Sequence, residues 1–156
     1  NKSTETKFLS CASNFFIRLS SYIVKDGEGA TKFIKLNVIN AKSLILAQEV
    51  SKRLSSSILV KTAMFGEDPN WGRIIARIGS IESRDIKPFN IKLMINNILC
   101  FKNGISLDTG SKRLERSMRK STIEITVDLN HGKCNQSMYF SDLSYEYVQI
   151  NSEYTT

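Results

Sequence analysis

The sequence predicts an α+β protein, on three observations: helical apolar spacing, period-two alternation, and short polar turns that favour hairpins, all in mixed order. No regular strand-helix-strand repeat runs through it. With 156 residues, 41% of them hydrophobic, the chain can bury one sizeable core, or one core plus a segment that completes a neighbouring one.

Phe8, Ala12, Phe15, Leu19 and Ile23 recur every three or four residues, which makes one stripe of an amphipathic helix expected to face a core. Asp26-Gly27-Glu28-Gly29 ends that helix, because glycine admits backbone angles that a helix forbids. Ile34, Leu36 and Val38 alternate with Lys35 and Asn37, the pattern of a strand with one wet face. Asn40 is the expected cap of a second helix, on which Leu44, Ala47, Val50 and Leu54 share a face and which Ser55 to Ser57 ends. Residues 58–65 form a mixed apolar run, followed by a loop over 66–72 and a short helical pattern over 73–78. Asn96-Asn97 lies between two apolar segments, 90–95 and 98–101, and tolerates the positive φ of a two-residue hairpin. Asn103-Gly104 supplies a second turn, and residues 111–120 read as a basic helix. Ile123, Ile125, Val127 and Leu129 alternate as a strand, after which His131-Gly132-Lys133 turns the chain back into an antiparallel strand over 134–140. Leu143, Tyr147, Ile150 and Tyr154 then keep helical spacing, with Asp142 as the expected cap; alternation of Tyr145 and Tyr147 also fits a strand.

The net charge of +7 invites a nucleic-acid reading, which requires clustered cations. The basic residues are scattered, and their one dense run, Lys112, Arg113, Arg116, Arg119 and Lys120, reads as a solvated helix face. No stretch approaches the roughly 18 apolar residues of a membrane span, and residues 1–7 lack the start of a signal peptide. The expectation is a soluble protein with neither nucleic acid nor membrane as partner. Cys11, Cys100 and Cys134 are far apart, form no CxxC pair and have one histidine, His131, for company. They are expected to be buried free thiols in a reducing compartment, with no metal site. His131 reads as a surface turn residue, so neither a Ser/His/Asp nor a Cys/His arrangement is legible, and there is no phosphate-binding glycine loop.

Three segments are poorly explained by packing. In the first, residues 26–32, flanking glycines bring Glu28 close to whatever binds there, a carboxylate suited to an ammonium group; the competing reading is a solvated turn. In the second, residues 61–73, Asp68, Pro69 and Asn70 rigidify a loop in which Trp71 anchors and Arg73 bonds carbonyls or a carboxylate. In the third, residues 142–156, apolar spacing persists to Tyr154, so the tail is expected to dock rather than fray.

Together DGEGATKF (26–33), LVKTAMFGEDPNWGRI (59–74) and DLSYEYVQINSEYTT (142–156) closely resemble the bifunctional ornithine acetyltransferase family of arginine biosynthesis, also called glutamate N-acetyltransferase. The resemblance spans nearly the whole chain. It implies a precursor that cleaves itself before a threonine, giving α and β chains that stay associated as α2β2 in the cytoplasm. The freed threonine of the β chain takes the acetyl group from N2-acetyl-L-ornithine and passes it to L-glutamate; its own amine is the base for its hydroxyl. No cofactor or metal is implied, and some members use acetyl-CoA as a donor substrate. Because this sequence starts at Asn1, the resemblance places it as the C-terminal part of a β chain, without the nucleophile. Partners are then the α chain and the rest of the β chain. Carried over residue by residue, the substrate-binding positions are Glu28, Asn151 and Thr156, with no catalytic residue in this chain. Residues 1–65 are expected to belong to the catalytic core of a larger α/β/β/α-type enzyme. Residues 66–156 then form a C-terminal α+β domain whose tail, 142–156, returns to the active site. Arg77 departs from the family pattern, which has a small residue there. The competing functions are a related self-cleaving, aminopeptidase-like hydrolase and a non-catalytic RNA-binding or structural module.

Overall fold

The structure is a computed structural model that describes residues 2–107 and 111–153. It is α+β. The helices are α1 (Lys2–Lys25), α2 (Leu44–Ser55), α3 (Ile58–Phe65), α4 (Trp71–Gly79), α5 (Lys112–Met118) and α6 (Tyr145–Glu153), with a 3-10 turn at Pro88–Asn90. The strands are β1 (Phe33–Ala41), β2 (Lys92–Ile95), β3 (Ile98–Lys102), β4 (Ile105–Ser106), β5 (Thr122–Asp128) and β6 (Cys134–Ser141). They form one mixed six-stranded sheet in the order β4-β3-β2-β5-β1-β6. Only the β1-β5 pairing is parallel.

The alternation read in β1 and β5 fixes the sheet's two faces. Ile34, Leu36 and Val38 of β1 and Ile123, Ile125 and Val127 of β5 are buried beneath α2, α3, α4 and α5, which contribute Val50, Leu54, Met64, Ile74, Ile78, Leu114 and Met118 to one core. The opposite face is half-buried and polar: Asn37 donates to Glu124 at 2.8 Å and accepts from Ser137 at 2.9 Å. β1, from before residue 65, lies between β5 and β6, from after it. Sheet and core therefore run continuously across the expected division between residues 65 and 66.

Several elements differ from the sequence reading, each for a local reason. Asn40 does not cap α2: it has a φ of 55° inside β1, at a register shift against β6, and its amide donates to Asp128 at 2.9 Å. Ser43 caps instead, its hydroxyl accepting from Leu46 N at 3.2 Å. That register buries Leu46 and leaves Leu44 49% exposed. Residues 58–65 are helical because Ser57 provides a cap, and α4 begins at Trp71 because Asn70 accepts from Arg73 N at 3.1 Å. The Asn96-Asn97 hairpin and the Asn103-Gly104 turn form as expected, all four residues at positive φ. β6 is antiparallel as expected, but its neighbour is β1 and not β5. The turn crosses the end of β1: His131 N donates to Asn40 O at 2.9 Å, and a Cβ on Gly132 would lie 2.2 Å from Ala41 O.

The largest departure is α1. The helix is present, yet Phe8, Phe15, Leu19 and Ile23, expected to face a core, are 70%, 61%, 43% and 66% exposed. Cys11 on this helix is exposed and Cys134 half-buried; Cys100 alone is a buried thiol. The cations of residues 112–120 are exposed around buried Leu114 and Met118, as a solvated face requires. Among the described residues no helix is long and apolar enough to cross a membrane.

Candidate functional site

The three unusual segments converge at the start of β1. The carboxylate of Asp142, 3% exposed, accepts Thr31 N and Lys32 N, each at 2.9 Å, and the Thr31 hydroxyl. It does not cap α6. Ser144 does, its hydroxyl accepting from Tyr147 N at 3.1 Å while donating to Gly29 O at 2.6 Å. Gly29 is required by this approach: its φ is +61°, and a Cβ there would lie 2.4 Å from Tyr147 N. The first and third segments are thus held together by buried and part-buried hydrogen bonds.

The second segment joins through Lys32. Its ammonium, 7% exposed, donates to Glu67 at 2.9 Å, Met118 O at 3.0 Å and Lys120 O at 3.3 Å. A buried ammonium needs such acceptors, and here they tie the turn before β1 to the loop after α3 and the end of α5. Leu143 N donates to Lys61 O at 3.4 Å, and Tyr145 meets Phe65 edge-on at 5.3 Å. Trp71 stacks on Phe101 at 5.5 Å, and the Arg73 guanidinium donates to Leu59 O at 3.0 Å. Those contacts anchor the loop's end to β3 and α3.

On the outer side of this junction the Asn151 carboxamide donates to the Glu28 carboxylate at 3.2 Å and to Tyr147 O at 2.9 Å. Glu28 and Asn151 are both exposed, so the pair presents a carboxylate and an amide to solvent on a rigid base. Thr156 lies outside the described residues. A cleft of ≈ 270 Å³ opens beside the junction, between Lys25, Thr31, Lys32, Phe33, Ser121 and Thr122. A larger one, ≈ 680 Å³, runs between α3 and α4, past Ile58, Leu59, Arg73 and Arg77, and is lined by neither Glu28 nor Asn151. The pair, where the first and third segments meet, is the candidate site, because volume alone assigns no chemistry. Among the described residues no group of His, Cys, Asp or Glu could hold a metal ion.

The profile of the ArgJ family matches residues 1–156, the whole chain. The chain belongs to the ArgJ family. Relatives within it include the arginine biosynthesis bifunctional protein ArgJ of Aquifex aeolicus, 41% identical over 138 residues, 88% of this chain and 36% of that protein. The glutamate N-acetyltransferase of Methanocaldococcus jannaschii is 45% identical over 146 residues, again 88% of this chain and 36% of that protein. The chain thus spans about a third of the length of these curated relatives, 36% in each case. The crystal structure of the arginine biosynthesis bifunctional protein ArgJ from Bacillus halodurans superposes with a TM-score of 0.86 at 32% identity, over 96% of this chain and 70% of that one.

Within this ArgJ chain, sequence reasoning missed Lys32, Asp142 and Ser144 as the groups that hold the site. A signal was present. A turn with two glycines exposes backbone N–H and C=O groups that need partners once buried, and Asp and Ser at 142 and 144 are suited to supply them.

Proposed function

We propose that the complete protein to which this chain contributes transfers acetyl from N2-acetyl-L-ornithine to L-glutamate through an acetyl-threonine intermediate, and that this chain supplies substrate-binding groups. The observation that carries the reading is the meeting of Glu28 and Asn151 at 3.2 Å, which brings the first and third family segments together. Both substrates are amino acids. Glu28 suits their ammonium group, Asn151 both donates to and accepts from a carboxylate or amide, and Thr156 adds a hydroxyl. The nucleophilic threonine, its amine and the oxyanion donors belong to the remainder of the protein. No cofactor or metal enters the reading.

The partners in this proposal are the α chain and the rest of the β chain, in a cytoplasmic α2β2 assembly. The exposed apolar residues of α1 support it. Besides Phe8, Phe15, Leu19 and Ile23, they include Leu9 at 57%, Phe16 at 62% and Tyr22 at 57% exposed, and a helix apolar on several faces is one that other protein covers.

The test uses the complete protein. Glu28→Gln and deletion of Thr156 are each expected to lower acetyl transfer from N-acetylornithine to glutamate about tenfold or more while self-cleavage proceeds. Full transfer in both variants overturns the site assignment. Amide hydrolysis in place of transfer by the unaltered protein overturns the reaction and favours the hydrolase reading.

A further inference from the structure

We infer that Asp142 and Ser144 are positioning residues for the substrate site: they set the spacing of Glu28 and Asn151 by clamping the turn before β1 onto the start of α6. This rests on the substrate-binding reading of Glu28 and Asn151. The bond between those two is exposed and 3.2 Å long, so by itself it holds little against water. The clamp beneath it is different. Asp142 and Ser144 are 3% and 4% exposed, and between them they engage Gly29 O, Thr31 N, the Thr31 hydroxyl, Lys32 N and Tyr147 N.

The geometry runs outward from these contacts. Glu28 immediately precedes Gly29, whose carbonyl takes the Ser144 hydroxyl at 2.6 Å. Asn151 is one turn along α6 from Tyr147, whose N–H that same hydroxyl caps at 3.1 Å and whose carbonyl Asn151 reaches at 2.9 Å. One hydroxyl thus touches the backbone on both sides of the site. Asp142 holds the next residues of the same turn with one carboxylate; an asparagine there keeps one acceptor oxygen for the two N–H groups but loses the charge that strengthens these bonds, and its NH2 group forces the Thr31 hydroxyl to turn from donor to acceptor. Binding groups of a bound amino acid need placement to a fraction of an ångström, which exposed side chains do not achieve unaided.

The test measures KM and kcat for glutamate in the complete, self-cleaved protein. Ser144→Ala and Asp142→Asn are expected to raise KM about tenfold with kcat changed less than about threefold, and Ser144→Thr, which keeps the hydroxyl, is expected to restore most of the loss. A double-mutant cycle separates positioning from general stability. If Ser144 acts through Glu28, the Ser144→Ala effect on KM largely disappears in a Glu28→Gln background. Thermal unfolding of Ser144→Ala, the milder change, checks that it is folded at the assay temperature. An unchanged KM in folded Ser144→Ala while Glu28→Gln raises KM overturns the positioning role and leaves the site assignment standing. Equal Ser144→Ala effects in both backgrounds also overturn the positioning role. An unchanged KM in Glu28→Gln overturns the site assignment and the positioning role with it.

Discussion

Gly29 shows how one residue without a side chain couples sequence to site. Two penalties meet in Gly29→Ala: a φ of +61° in the left-handed region, and a Cβ 2.4 Å from Tyr147 N. The expected loss is about 2 kcal/mol or more in denaturant unfolding of the complete protein, with a raised KM for glutamate. A neutral substitution would mean that α6 does not dock on this turn. Asp85 supports a different expectation. The hydrogen bond from Lys42 at 2.7 Å, then the charges of Lys42 and His131, hold its carboxyl below the ordinary 3.8. A carboxyl depressed in the folded state contributes stability above its unfolded value and loses it as pH falls through the folded one. The unaltered protein should therefore lose more stability below pH 3.8 than Asp85→Asn, by a small margin because the pair is exposed, as acid unfolding curves of the two would reveal. Glu28 and Asn151 were legible as members of a family pattern. Their meeting was not, since 123 residues separate them. Asp142 read as a cap, and Lys32 had no reading of its own, because local spacing carries no information on which backbone N–H groups burial will leave unpaired.

α1 carries the clearest expectation at the level of elements. Its apolar spacing was legible and its helix is present, but the surface that spacing implies is not among the described residues. Phe15 is 61% exposed here, and burying such a ring against another chain contributes about 1.5–3 kcal/mol. Phe15→Asp in the complete protein should therefore weaken assembly, read as dissociated chains in size-exclusion chromatography with light scattering. Asn14→Asp, on the exposed polar stripe that it shares with Lys7 and Arg18, is the control expected to leave the assembly intact. The strands divide in the same way. The two Asn turns were readable because their positive φ is a local property of Asn. The insertion of β1 between β5 and β6 was not, because sequential strands usually pair and the crossing depends on Gly132 lying against Ala41, a contact 91 positions apart in sequence.

Among the described residues, the junction that holds the proposed binding groups and the groups able to do other chemistry stand apart. Glu28, Lys32 and Asp142 gather at the start of β1, whereas His131 bonds Asn40 O and Cys134 pairs with Ala41 at the other end. At about 3.3 Å per residue that strand separates them by about 25 Å, so the one histidine is no base for a nucleophile at the site. Cys100 is buried in β3, and Cys11 lies about 20 Å along α1 from Lys25. The Thr31 and Ser144 hydroxyls are committed to structure: Thr31 donates to Asp142, which also holds two backbone N–H groups, and Ser144 donates to Gly29 O. In the proposed function the nucleophile belongs to the remainder of the protein, so this chain alone is expected neither to transfer nor to hydrolyse acetyl groups. The decisive measurement locates the intermediate. When the complete protein is incubated with N-acetylornithine in the absence of glutamate, quenched in acid and digested, mass spectrometry should find the acetyl group on a threonine peptide outside residues 1–156. Acetyl trapped on Thr31 or Ser144, or turnover by the isolated chain, would place the nucleophile here and overturn the division of labour argued from the fold.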